Sequence, residues 1–141
     1  MYKILVPVDG SDSAARALEA ALEMAHRFQD AELHVVTVQS PIISGNVSRF
    51  FSPEVLDAYY QDEGQNALLS ISPQLEASNV PYTKEVIVGD IAEEINHYVS
   101  EHGCQHIVMG TRGLSAMPSL IMGSVTSKVI HQAKVPVTLI K

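Results

Sequence analysis

Tryptophan is absent from this sequence, and cysteine occurs once, at Cys104. A lone thiol excludes an internal disulfide, so the fold has to rest on its core, as in proteins of a reducing compartment. Positive charge is also scarce. Lys and Arg number 9 against 16 Asp and Glu, for a formal net charge of -7. Such a surface repels phosphate backbones, and no basic run overrides it, so nucleic acid is not an expected partner. Long hydrophobic runs are missing too. The run after Lys3 stops at Pro7 and meets Asp9, which is too short for a signal segment or a membrane span. A cytoplasmic location and no membrane partner are therefore expected. Finally, the glycine-rich stretch carries no Walker lysine, and no nucleophile–base pair is visible. Residues distant in sequence can still assemble in space.

What remains is 141 residues with 46% hydrophobic content, enough for one domain over 1–141 with a full core. Ile4–Val8 is an apolar run suited to a central parallel strand. Gly10-Ser11-Asp12 offers helix caps, and Leu18, Ala21, Leu22, Ala25 and Phe28 recur at helical spacing over 12–29. Leu33–Val38 reads as a second strand, and 39–52 as a long loop. A helix over 53–71 follows, carried by Val55, Leu56, Tyr59, Tyr60, Ala67 and Leu68. Gly64 weakens it and Pro73 ends or kinks it, with a last turn over 74–79. Tyr82–Val88 is a strand, and Asp90 with Glu93 opens a helix that Gly103 stops. His106–Met109, a helix over about 122–133, and Val135–Ile140 complete a βαβαβαβαβ order. This order predicts a parallel α/β sheet with helices on both faces, with ligands beyond the carboxyl ends of the strands.

Two strand ends carry residues suited to chemistry there. Asp9 follows the first strand directly. It can accept hydrogen bonds from a ribose or hold a hydrated metal, or it can simply steady the first helix through its dipole. The second is Gly110 to Thr126, where Gly110 and Gly113 are followed, nine residues on, by Gly123-Ser124. Glycines admit close approach of phosphate oxygens, and the free N–H groups of Ser124, Val125 and Thr126 would form an anion site. Glycines at strand ends also serve as tight turns. Two glycine positions plus a Gly-Ser helix opening in one connection favour phosphate.

This spacing, Gly110-x2-Gly113-x9-Gly123-Ser124, resembles the ATP-binding signature of the universal stress proteins. Val6-Pro7-Val8-Asp9-Gly10-Ser11, Val88-Gly89, Val108–Gly113 and Val135-Pro136-Val137 resemble other parts of that family, so the likeness covers essentially the whole chain. The resemblance implies a Rossmann-like, doubly wound open sheet of five parallel strands in order 3-2-1-4-5. It implies a stress-response regulator binding ATP, or AMP or ADP, with Mg or Mn. It matches Asp9 to the ribose-side carboxylate, beside the backbone of Pro7 and Val8. Val38 and Val88 match apolar positions near adenine. Met109, Gly110, Arg112 and Gly113 match the loop around ribose and phosphates, and Gly123, Ser124, Val125 and Thr126 the phosphate-binding helix start. Pro118 in the spacer is a departure that stiffens the loop. The last strand, apolar and at the sheet edge in the family, points to a homodimer.

Two other readings compete with a nucleotide sensor. Asp9-Gly10-Ser11-Asp12-Ser13 faintly resembles the loop of ATP pyrophosphatases, without its double glycine. A protein-interaction module without nucleotide leaves the glycines unexplained. The remaining residues point less sharply. His102 and His106 are four apart but straddle a helix end at Gly103, which argues against a metal pair. Cys104 reads as a packing residue. Tyr59 and Tyr60 read as helix packing, and Arg49, Phe50 and Phe51 as a lid, a partner surface or disorder.

Overall fold

The computed structural model describes residues 1–42, 49–111 and 123–141. The first strand, β1 (Tyr2–Pro7), runs into helix α1 (Asp12–Phe28), followed by β2 (Ala31–Gln39). Helices α2 (Pro53–Leu69) and α3 (Ser72–Ala77) lead to β3 (Tyr82–Val88). Then come α4 (Ile91–His102), β4 (His106–Gly110), α5 (Ser124–Gln132) and β5 (Val137–Ile140). The five strands form one sheet in the order β3-β2-β1-β4-β5, every pair parallel, as the family resemblance implies.

Alternation along β1 builds the two layers. Ile4, Val6 and Val8 point to one face, where Ala17, Leu18, Ala21 and Leu22 of α1 and Leu68, Ile71 and Leu75 meet them. Leu5 points to the other face, against Ile95, Tyr98 and Val99 of α4 and Val129 of α5. From β1 the chain winds outward through β2 and β3, then crosses to β4 and β5 on the other side. The strand order therefore reverses between β1 and β4, and a crevice opens beyond their carboxyl ends.

The caps explain the helix boundaries. Ser11 accepts the Ala14 N–H at 3.1 Å and starts α1. Asp90 accepts the Glu93 N–H at 3.0 Å and starts α4, which Gly103 ends at φ 68°. Pro73 does not extend α2. The helix stops at Leu69, and Pro73 sits in the first turn of α3, where its missing N–H costs nothing.

Several expectations need correcting. Phe28 is not part of the buried stripe of α1. It is half exposed and meets the Tyr2 ring edge-on, with centroids 4.7 Å apart. Val55 and Tyr59 face solvent, and only Tyr60, Ala67 and Leu68 of the apolar residues expected to carry α2 are buried. Gly64 is more than a weak point in that helix. A Cβ there would lie 2.8 Å from Val86 Cγ2 and overlap Cγ1, so its absence lets α2 approach β3. Within the expected loop over 39–52, residues 49–50 are helical and 43–48 lie outside the described residues. The closing strand is shorter than expected, Val137–Ile140, because Val135 and Pro136 precede it.

Polar groups buried at the amino-terminal end of the sheet are paired. His34 lies 2.8 Å from the Tyr98 hydroxyl through Nδ1 and 3.0 Å from Glu32 Oε1 through Nε2. His102 stacks on Tyr98 at 3.8 Å. His106 belongs to a different cluster, between Tyr2 Oη and Thr138 Oγ1, which ties β5 to β1 across β4. Cys104 is buried in the α4 layer, and burial pushes its thiol up to about 11.

Candidate functional site

Three strand ends and three helix starts converge on the crevice, around a cavity of about 270 Å³. From β1 and the residues after it come Pro7, Val8 and Asp9. The end of β2 gives Val38, and the end of β4 gives Met109 and Gly110. The opening of α5 gives Gly123, Ser124, Val125 and Thr126. Ten of the residues matched to the signature thus lie around one cavity. Val88 does not. It ends the edge strand β3, 37% exposed, and is not part of the lining. Arg112 and Gly113 lie outside the described residues, as does Pro118.

The lining is of two kinds. Val8, Val38, Ile91, Ile95 and Met109 are apolar and suit a flat ring. The start of α5 also lines the cavity, with Gly123 as N-cap in an extended conformation, φ -73° and ψ 165°. Glycine has no side chain to accept an N–H from the first turn. The helix ladder begins only with Ser127 N–H to the Gly123 carbonyl, at 3.1 Å. The N–H groups of Ser124, Val125 and Thr126 come before that bond, in the first turn at the positive end of the helix dipole. They give the cavity a donor-rich, dipole-positive edge. Gly123 N–H itself donates to the Thr111 carbonyl at 3.4 Å, and Thr111 N–H to the Ile140 carbonyl at 2.9 Å. These bonds hold the helix start against the end of β4.

Asp9 brings the one carboxylate among the described lining residues. Its Oδ1 accepts the Ser11 N–H at 2.9 Å. The side chain therefore shapes the turn into α1, where Gly10 takes φ 84°, and it borders the cavity as well. The structural reading open in the sequence thus has a contact behind it, and the side chain's place on the cavity leaves it available to a ligand. Its environment does not by itself make a metal cage. Among the described residues no group of three His, Cys, Asp or Glu is placed to share an ion. The donor set fits a magnesium or manganese ion held chiefly by a ligand's own phosphates and by water, with Asp9 at most one contact.

Sequence reasoning missed Ser11, Ala14, Ile91 and Ile95 as lining residues. A signal for them existed. Ser11 caps α1 and Ile91 is the first residue of α4, and both helices start at the carboxyl ends of strands. Ile95 lies one helical turn after Ile91, on the same face. Gly110 has a reason of its own that the signature hides. A Cβ there would overlap Ser13 Oγ and lie 3.0 Å from the Ser13 carbonyl carbon, so glycine is what lets α1 lie against β4.

Comparison with known proteins agrees with this architecture. The chain is 33% identical over 141 residues to a universal stress protein of Methanocaldococcus jannaschii, covering 99% of this chain and 81% of that one. The solved structure of universal stress protein UspA from Lactobacillus plantarum superposes with a TM-score of 0.84 at 28% identity, covering 99% and 97% of the two chains. A universal stress protein family protein from Arabidopsis thaliana, solved with AMP bound, shares the fold. Its TM-score is 0.70 at 24% identity, with 100% of this chain and 92% of that one covered. The model of the universal stress protein family matches residues 1–141, and the chain belongs to that family.

Proposed function

We propose that the protein is an ATP-binding stress-response regulator, with its nucleotide in the cavity between β1, β4 and the start of α5. One observation carries this reading. Apolar side chains, a carboxylate and a helix N-terminus with glycine as its N-cap line the same space of about 270 Å³. The base lies against Val8, Val38, Ile91, Ile95 and Met109. Asp9 accepts from a ribose hydroxyl, and the first N–H groups of α5 receive phosphate oxygens, with the Ser124 and Thr126 hydroxyls beside them. ATP is favoured over AMP and ADP because a longer phosphate chain uses the helix start more fully. A bound Mg or Mn would neutralise phosphate charge, and the chain's own residues position the nucleotide around it. The AMP in the Arabidopsis relative supports the adenine nucleotide class.

The same geometry argues for holding rather than turning over. Phosphoryl transfer needs several charges fixed around the γ-phosphate. Among the described lining residues Asp9 is the only charged side chain. The pyrophosphatase alternative requires the turn after β1 to offer donors to phosphate. Here the Ser11 N–H is taken by Asp9, and the turn offers one glycine, Gly10, where that class has two. Protein purified without added nucleotide should release an adenine nucleotide on denaturation, identified by mass spectrometry. Its steady-state hydrolysis should fall far below the roughly 1–100 s⁻¹ of kinases. A rate in that range that disappears in Asp9→Asn would make the protein an enzyme. AMP and pyrophosphate as products would favour the pyrophosphatase reading.

The regulator is proposed to work in the cytoplasm as a homodimer joined through β5. The two sheet edges differ in kind. The β3 edge carries Lys84 and Glu85 in mid-strand, charges that discourage pairing. The β5 edge reads Val-Thr-Leu-Ile, without charge, and is half buried throughout. Pairing with a twin about a two-fold axis covers it. Light scattering at micromolar concentration should report a dimer, and Thr138→Pro should shift it toward monomer. A wild-type monomer would refute the assignment. No helix among the described residues is long and apolar enough to cross a membrane.

A further inference from the structure

The outer face of α2 has no role in the nucleotide cavity, yet it exposes large apolar side chains. Val55 and Tyr59 lie one turn apart on that face, 51% and 50% exposed. Just before the Ser52 cap come Phe50 and Phe51, 79% and 50% exposed. Taking 150–250 Å² for an aromatic side chain, the three rings with Val55 present roughly 300–450 Å² of apolar surface to water. That is within the roughly 300–600 Å² of the largest apolar patch on an ordinary monomer, a patch that is often functional. The charges of the same helix are all of one sign. Glu54, Asp57, Asp62 and Glu63 are exposed, and Pro53–Leu69 contains no Lys or Arg. The nearest cation in sequence is Arg49, ahead of the cap.

We propose that this face docks a basic amphipathic helix of a partner protein. The partner's apolar stripe packs on Phe50, Phe51, Val55 and Tyr59, and its Lys and Arg residues lie over Asp62 and Glu63, one turn after Tyr59, and Glu54 at the rim. The charge pattern selects this occupant. A second copy of the chain would bring the carboxylates of Glu54, Asp62 and Glu63 against their own like, and an anionic membrane would be repelled by the same carboxylates and by the net charge of -7. A helix suits the spacing, because apolar residues a turn apart on α2 meet apolar residues recurring every three to four positions on its partner. Aromatic side chains ringed by charge are the usual anchors of such contacts. This assignment does not depend on the nucleotide reading.

The probe is a synthetic amphipathic helix of about 18 residues with Leu and Phe on one face and Lys on the other, long enough to be helical when docked. A second peptide keeps the apolar face and replaces Lys with Glu. Binding is read by fluorescence anisotropy at physiological salt. The Lys peptide should bind saturably at one per chain, and the Glu peptide should not bind. Phe50→Ser with Tyr59→Ser, and separately Asp62→Lys with Glu63→Lys, should each weaken the Lys peptide at least about tenfold. Glu19→Lys with Glu101→Lys makes the same change of net charge elsewhere on the surface and should leave binding intact. All these side chains face solvent, and circular dichroism checks that each variant is folded. The proposal is overturned by equal binding to wild type and either patch variant, or by an equal loss in the Glu19–Glu101 control. It is also overturned by binding of the Glu peptide, or by self-association or capture on phosphatidylserine vesicles that the patch substitutions abolish.

Discussion

Gly123→Val should remove the ATP-dependent rise in melting temperature while leaving the protein folded. Gly123 has φ -73° and ψ 165°, extended backbone that a β-branched residue adopts readily. It makes no side-chain cap to lose, so the change costs the apo protein about 1 kcal/mol or less. Core residues Thr126 and Val129 of the same helix are untouched. In the liganded state the outcome differs. A branched side chain at the mouth of the helix fills the space where phosphate oxygens would meet the N–H groups. ATP at 100 times its dissociation constant stabilises a fold by about 2.7 kcal/mol. For a domain of this length that is a shift of roughly 6–10 °C. Wild type depleted of nucleotide should show this shift with magnesium-ATP and a smaller one with adenosine, which cannot use the helix start. The valine variant should show almost none with ATP. An equal shift in both proteins would move the phosphate site away from α5.

Gly110→Ala should behave in the opposite way and destabilise the protein before any ligand is added. The new methyl would overlap Ser13 Oγ and press on the Ser13 backbone, 3.0 Å away at the carbonyl carbon. Ser13 is buried in the first turn of α1, so neither group can swing into solvent. Overpacking of this kind costs about 1–3 kcal/mol. Urea denaturation of the nucleotide-free protein should show the loss as a lower midpoint with an unchanged slope. Adding Ser13→Ala should recover part of it, because the hydroxyl oxygen is then gone while the backbone contact stays. The two substitutions should therefore be non-additive in a double-mutant cycle. Unchanged apo stability, with ATP binding lost, would instead make Gly110 a ligand glycine.

The contrast between these glycines shows how much the sequence disclosed. Their spacing made the family legible, and most of the positions it singled out line one cavity. It could not separate a glycine that clears room for α1 from one that clears room for a phosphate, since both look alike until Ser13 is in place. Strand order behaved likewise. The alternation of elements was plain in hydrophobic runs, but the order β3-β2-β1-β4-β5 came from family likeness, because no local pattern encodes which strands are neighbours. Val88 illustrates the other kind of miss. It ends a strand as Val38 does, yet β3 is the sheet edge, so its side chain stands clear of the cavity. Ile91 and Ile95 read as core stripe and are core, but the first turn of α4 also borders the crevice. A helical stripe records that a face is covered, not whether protein or ligand covers it.

The buried thiol of Cys104 has a consequence for what kind of signal the protein can register. With its pKa pushed up to about 11 by burial, little of the thiol is ionised at neutral pH, and it is shut away beneath α4. Peroxide and disulfide reagents attack the ionised, accessible form, so they find almost nothing to oxidise here. As the chain has no other cysteine, its thiol chemistry is silent during an oxidant burst. A redox stress the protein answers therefore reaches it by another route than a thiol: a methionine, the concentration of a ligand or the arrival of a partner.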